Sequence, residues 1–94
     1  MNLLRKPSIR VPLGNVFITA NARNVLSSGE IADGLARHAA GDWGNVCYDD
    51  AMANEEALLE GYRLLSSYGQ GDRRFWVITE HDRSVTTILM PADY

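Results

Sequence analysis

The stretch "RRFWVITEHDRSVTTILM", residues 73–90, decides how this chain is read. Its halves, "RRFWVITE" and "SVTTILM", are dense in β-branched and aromatic residues, side chains that suit a pleated, half-buried surface. Between them "HDR" is short and polar, so the two strands are expected to form an antiparallel hairpin. A hairpin alone is at best marginal in water and must bury its apolar face against further strands or helices. That cover has to come from upstream.

Working outward, "LGNVFIT" (13–19) is short, branched and aromatic and reads as a third strand. Residues 1–12 read as a tail or edge arm, because Pro7 and Pro12 cannot donate to a ladder. Thr19 or Asn21 is placed to cap a short helix running to Leu26. In "SSGEIADGLARHAAG" (27–41), Ser27 and Glu30 have the spacing of a capping box, Ile31 and Leu35 share a face, and Gly41 is a natural stop. Gly34 costs this helix about 1 kcal/mol relative to Ala.

"GDWG" (41–44) then reads as a turn before a third helix over roughly 50–68, with Asp49 or Asp50 accepting from its first free amides. Its apolar stripe is Ala57, Leu58, Gly61, Leu64, Leu65 and Tyr68, at steps of three and four, and "GQGD" ends it. The expected architecture is α+β: a small antiparallel sheet of about three strands, including the C-terminal hairpin, packed on one face by about three helices. Residues 13–94 form one domain behind the arm 1–12.

Composition narrows the function. The chain has 94 residues, 46% of them hydrophobic, enough for one modest core. A single cysteine excludes an internal disulfide framework and suits a reducing cytoplasm. No apolar run approaches the roughly 20 residues of a membrane span, and the charged N-terminus does not resemble a signal peptide. The net charge of −3 is unevenly spread. Residues 1–29 hold Arg5, Lys6, Arg10 and Arg23 with no acid. Residues 30–60 hold Glu30, Asp33, Asp42, Asp49, Asp50, Glu55, Glu56 and Glu60 against Arg37 alone. A middle third this acidic repels nucleic acid and attracts basic surfaces.

Catalytic arrangements are thinly supported. Cys47 and His38 could be a nucleophile and its base, but His38 follows Ile31 and Leu35 by helical steps toward the core. Cys47 has no basic neighbour in sequence to activate it. Two histidines and one cysteine offer no metal-ligand spacing, no phosphate loop is present, and no cofactor is implied. Glu80, His81 and Arg83 at the hairpin tip, with Asp82, could be an acid–base cluster of a toxin-like RNase, although such enzymes need positive charge to hold RNA. The plainer reading of the tip is a polar turn whose Asp82 satisfies its own backbone. Trp43, set among acids in a turn, is either a core plug or an exposed anchor for a partner.

Three stretches, "ARHAAGDWG", "EGYRLLSSYG" and "FWVITEHDRSVTTILMPADY", together resemble a family of small bacterial accessory proteins carried on plasmids, prophages and other mobile elements. The resemblance spans about residues 13–94 and brings no catalytic residues with it. It implies a role in countering host defences, including CRISPR–Cas. Defence nucleases keep cationic channels for nucleic acid, and an acidic face can occupy such a channel in place of phosphates. The expected function is therefore a non-enzymatic inhibitor, most specifically an anti-CRISPR protein, binding a basic complex such as a Cas effector through Asp42, Asp49, Asp50, Glu55, Glu56 and Glu60, with Trp43 as a possible anchor. It would need neither direct nucleic-acid contact nor a membrane. Two alternatives stay open: the toxin-like RNase, and a small regulatory accessory that dimerises through a free edge strand.

Overall fold

A computed structural model describes residues 9–94. The elements are β1 (Asn15–Ile18), α1 (Ala20–Val25), α2 (Ser28–Ala39), α3 (Tyr48–Glu60), β2 (Leu64–Tyr68), β3 (Phe75–Thr79) and β4 (Val85–Leu89). The fold is α+β, with a four-stranded sheet in the order β1-β4-β3-β2. The hairpin of the opening stretch is present: β3 and β4 pair antiparallel, from Trp76 opposite Leu89 to Thr79 opposite Thr86. β1 lies parallel to β4, so the sheet is mixed and has one strand more than expected.

The local signals of the first two helices are used as written. Thr19 caps α1 by accepting from the Ala22 amide. Ser27 and Glu30 form a reciprocal capping box on α2, satisfying two amides that a helix start leaves without partners. Gly34 is explained by packing: a Cβ there would lie 2.7 Å from the Phe75 ring, so the helix gives up propensity to approach the sheet.

The third helix departs from the expectation. It begins at Tyr48 with Cys47 as N-cap, and neither Asp49 nor Asp50 caps it; both sit in its first turn, where their charge suits the helix dipole. It ends at Gly61, whose left-handed φ of 78° closes the C-terminus, with the Gly61 and Tyr62 amides both donating to the Ala57 carbonyl. Residues 64–68 are therefore not helix but β2, paired antiparallel with β3 from Leu64 opposite Thr79 to Tyr68 opposite Phe75. Leu64, Ser66 and Tyr68 alternate toward the helices, while Leu65 and Ser67 face the other side of the sheet.

The core lies between the sheet and the helices in two clusters. Ala22, Leu26, Tyr68, Phe75, Val77, Ile88 and Met90 form the first, with Val25, Ile31 and Leu35 against it. Val11, Trp43, Ala57 and Leu64 form the second. Val11 is fully buried, and the Arg10 and Val11 amides both donate to the Ala39 carbonyl, so the domain reaches upstream of residue 13. The rest of the expected arm, residues 1–8, lies outside the described residues. No helix among the described residues is long and apolar enough to cross a membrane.

Candidate functional site

The expected acidic face divides when each carboxylate is followed to its contacts. Asp42 is held by Arg37, with Nε to Oδ2 at 2.7 Å, and also accepts from the Gly44 amide. Arg37 accordingly pulls its carboxyl below the usual range. Glu55 receives Arg10 at 2.6 Å and the Trp43 indole N–H at 2.9 Å, and the same two donors lower its pKa. Asp42 and Glu55 are thus engaged inside the molecule. Trp43 is 6% exposed and belongs to the second core cluster, so it is a plug and not an exposed anchor. Burying an indole leaves one polar atom needing a partner, and Glu55 supplies it.

The remaining acids lie on α3. Asp49, Glu56 and Glu60 are exposed at steps of seven and four, which aligns them along one side of the helix. No ion pair to them is formed among the described residues. Asp50 points about 100° away around the helix and lines a small cavity of about 250 Å³ together with Asn54, Arg63 and Leu65, so it stands apart from that row. Beside the acidic row stand Tyr48, Met52 and Leu59, exposed by 76%, 45% and 86%. They recur at steps of four and seven and form an apolar row that nothing described covers. The outer face of α3 therefore pairs unneutralised acid with exposed apolar surface. The acids are visible in the sequence but this apolar row is not, because the apolar positions of 57–68 fit one longer helix with a different, buried stripe that here runs into β2.

The two catalytic alternatives are arranged differently. His38 is fully buried and both ring nitrogens are occupied, Nδ1 by Ser66 Oγ at 2.6 Å and Nε2 by Thr79 Oγ1 at 2.8 Å. Thr79 contacts Thr86 at 2.7 Å, and the Thr86 hydroxyl donates to the Leu13 carbonyl. Each hydroxyl has one proton, so this chain has one consistent direction. Thr86 donates to Leu13, Thr79 to Thr86, the Nε2–H of His38 to Thr79, and Ser66 to Nδ1. The Ser66 direction is that of the neutral imidazole, the form that burial favours by pushing the pKa down to about 4, with Arg83 adding repulsion. Ser66 is buried as well, so this serine–histidine contact holds the core and meets no substrate.

Cys47 is exposed at the start of α3, while His38 is enclosed with no nitrogen to spare, so the two do not form a nucleophile and base. Serine is a stronger N-cap than cysteine. Cys47→Ser is therefore expected to leave binding unchanged and to raise stability by up to about 1 kcal/mol, checked by urea denaturation; loss of function in a folded variant would contradict this placement.

At the hairpin tip, Arg83 has a left-handed φ of 61° and turns its guanidinium inward. It donates to the Tyr62 carbonyl at 2.6 Å and the Ala57 carbonyl at 2.9 Å, and also to those of Glu80 and His81. A cation on the last carbonyls of α3 is favoured by the helix dipole and ties the hairpin to the helix end. Asp82 accepts from the Ser84 amide and hydroxyl, as a polar turn requires. Arg83 is thereby engaged at the end of α3 and Asp82 within the turn. No group of three or more His, Cys, Asp or Glu among the described residues is placed to hold a metal. Compared with known proteins, the chain matches no family model, no curated protein and no solved structure.

Proposed function

We propose that this protein acts by binding, as a non-enzymatic inhibitor that lays the outer face of α3 on a cationic surface of a nucleic-acid-handling defence complex. An anti-CRISPR protein directed at a Cas effector is the most specific form of this reading, and that specificity rests on the mobile-element resemblance. One observation carries the binding mode: Asp49, Glu56 and Glu60 stand exposed beside Tyr48, Met52 and Leu59 on a single helix. Unpaired carboxylates give attraction to a basic groove and speed encounter. Aromatic and Met side chains supply the desolvated contacts that hold a complex together.

The test is the affinity of a purified, cationic effector complex for this protein and for two double variants. Glu56→Lys/Glu60→Lys should weaken binding at least tenfold at low salt, because reversal adds repulsion to lost attraction. Glu56→Gln/Glu60→Gln should weaken it less, and raising the salt should narrow the difference as exposed charges are screened over about 8 Å at physiological ionic strength. Glu55 is unsuited to this test, since its reversal would break the contacts with Arg10 and Trp43. A folded lysine variant that binds as tightly as the native protein at low salt rejects the acidic-face mechanism.

A further inference from the structure

The two edges of the sheet are finished in opposite ways. At the β2 edge, the Leu65 amide donates to Asn54 Oδ1 and the Leu65 carbonyl accepts from Asn54 Nδ2 at 2.8 Å. The Ser67 amide donates to the Trp43 carbonyl, and the Ser67 carbonyl accepts from the Asn45 amide at 2.6 Å. That edge is sealed by α3 and by residues 43–45. At the other edge, the Asn15 and Thr19 amides donate to the Ser84 and Ile88 carbonyls, which turns residues 15, 17 and 19 toward β4. The backbone groups of Val16 and Ile18 then point away from the sheet, and no described residue meets them.

This open edge is apolar and uncharged. Val16, Phe17 and Ile18 are exposed by 40%, 57% and 37%. Parallel-paired strands are ordinarily covered on both faces, and free edges are ordinarily blunted by charge, proline or a bulge. β1 has none of these devices. Val16 and Ile18 share the helix side of the sheet, opposite Thr86 and Ile88 in register, and Phe17 takes the open side with Thr87. Beside Ile18, a groove of about 590 Å³ is lined by Leu26, Ile31 and Leu35 of the helix layer, with Arg23 at its margin.

We propose that β1 pairs antiparallel with β1 of a second copy of this chain, joining the two sheets about a two-fold axis through Phe17. The edge is self-complementary in that register. Val16 of one copy lies opposite Ile18 of the other, each pair exchanging both its N–H and its C=O, as hydrogen-bonded antiparallel pairs do. Phe17 meets its symmetry mate as the closer, non-hydrogen-bonded pair, where aromatic side chains contribute most. On the helix side, the second copy's Val16 sits next to Ile18 and extends the wall of the groove, so the same association covers apolar surface on both faces. A charged or proline-bearing partner strand has nothing to answer it on this edge, whereas an identical strand does. The interface shares no residue with the outer face of α3, so it stands or falls separately from the binding reading.

Sedimentation equilibrium on the full chain tests it, with two variants. The native protein should sediment as a dimer of the 10.4 kDa chain. Val16→Pro removes an outward N–H and leaves the β4-facing amides in place, a position where edge strands tolerate proline. Phe17→Lys sets two like charges opposite each other at the axis. Each should raise the dimer dissociation constant at least tenfold, while circular dichroism shows the native secondary structure. Glu56→Lys/Glu60→Lys should dimerise normally. If Val16→Pro fails to fold, Phe17→Lys decides the matter alone, because its side chain is more than half exposed. A native chain that stays monomeric up to about 1 mM, or a dimer indifferent to Phe17→Lys, overturns the proposal. So does a monomer that takes up a foreign β-strand peptide at β1 in place of a second copy.

Discussion

His38→Phe should destabilise the fold by about 2–5 kcal/mol, read as a lower urea midpoint. The substitution removes both partners of a buried chain of hydroxyls, leaving Ser66 without an acceptor and Thr79 without its donor. Each stranded polar group costs about 1–3 kcal/mol. His38→Gln, which keeps a donor and an acceptor, should cost less. A loss below about 0.5 kcal/mol for the phenylalanine variant would mean that the network contributes nothing.

The same residue gives the protein an acid-sensitive window with a definite sign. The native imidazole titrates near 4, whereas an unfolded one titrates near 6.5. Between those values the unfolded chain binds more protons than the native one, so stability falls as the pH drops from 6.5 to 4. The loss approaches about 3 kcal/mol at the lower end. Glu30, held near 2 by Arg73 and the Ser27 amide, and Asp42 and Asp93, also lowered, contribute stability that begins to be lost once the pH falls to about 5 and continues down through their native values. Urea midpoints at pH 7 and pH 5.5, above the range in which unfolded carboxyls take up protons, should therefore isolate the histidine, and His38→Gln should flatten the difference.

Leu64→Ala should cost about 2–5 kcal/mol, the range for emptying a buried leucine site. Leu64 is fully buried against Val11, Trp43 and Ala57. Its neighbour Leu65 is half-buried on the opposite side of β2, so Leu65→Ala should cost less than half as much. A helix through this segment would place both leucines on its apolar stripe and make their losses similar. Equal losses in the two variants would therefore contradict the strand and its register.

That pair of residues shows where local reading stops. Over 57–68 the apolar positions fit helical steps of three and four, and over 64–68 they fit a strand equally well, since short apolar runs do not distinguish the periods. The decision comes from Gly61 in a left-handed conformation and from β3, whose ladder is available only once the hairpin exists. The candidate site was legible to the same degree. Acid-rich residues 48–60 were visible as a surface, but which acids remain unpaired depends on Arg10 reaching Glu55 from 45 positions away and on Trp43 turning inward. Neither contact leaves a mark in local sequence.

Neighbouring residues alone enforce the Thr19 and Ser27–Glu30 caps, the β3–β4 hairpin, the turn at Asp82 and Ser84, and the acidic bias of the middle third. These depend on contacts within a helical turn or across a tight connection, where spacing alone sets the geometry. Long-range packing sets the rest: β1 lies parallel to β4, Arg83 closes the end of α3, and one sheet edge is sealed while the other stays open among the described residues. Those outcomes depend on groups far apart in the chain, whose meeting is set by how the whole core packs.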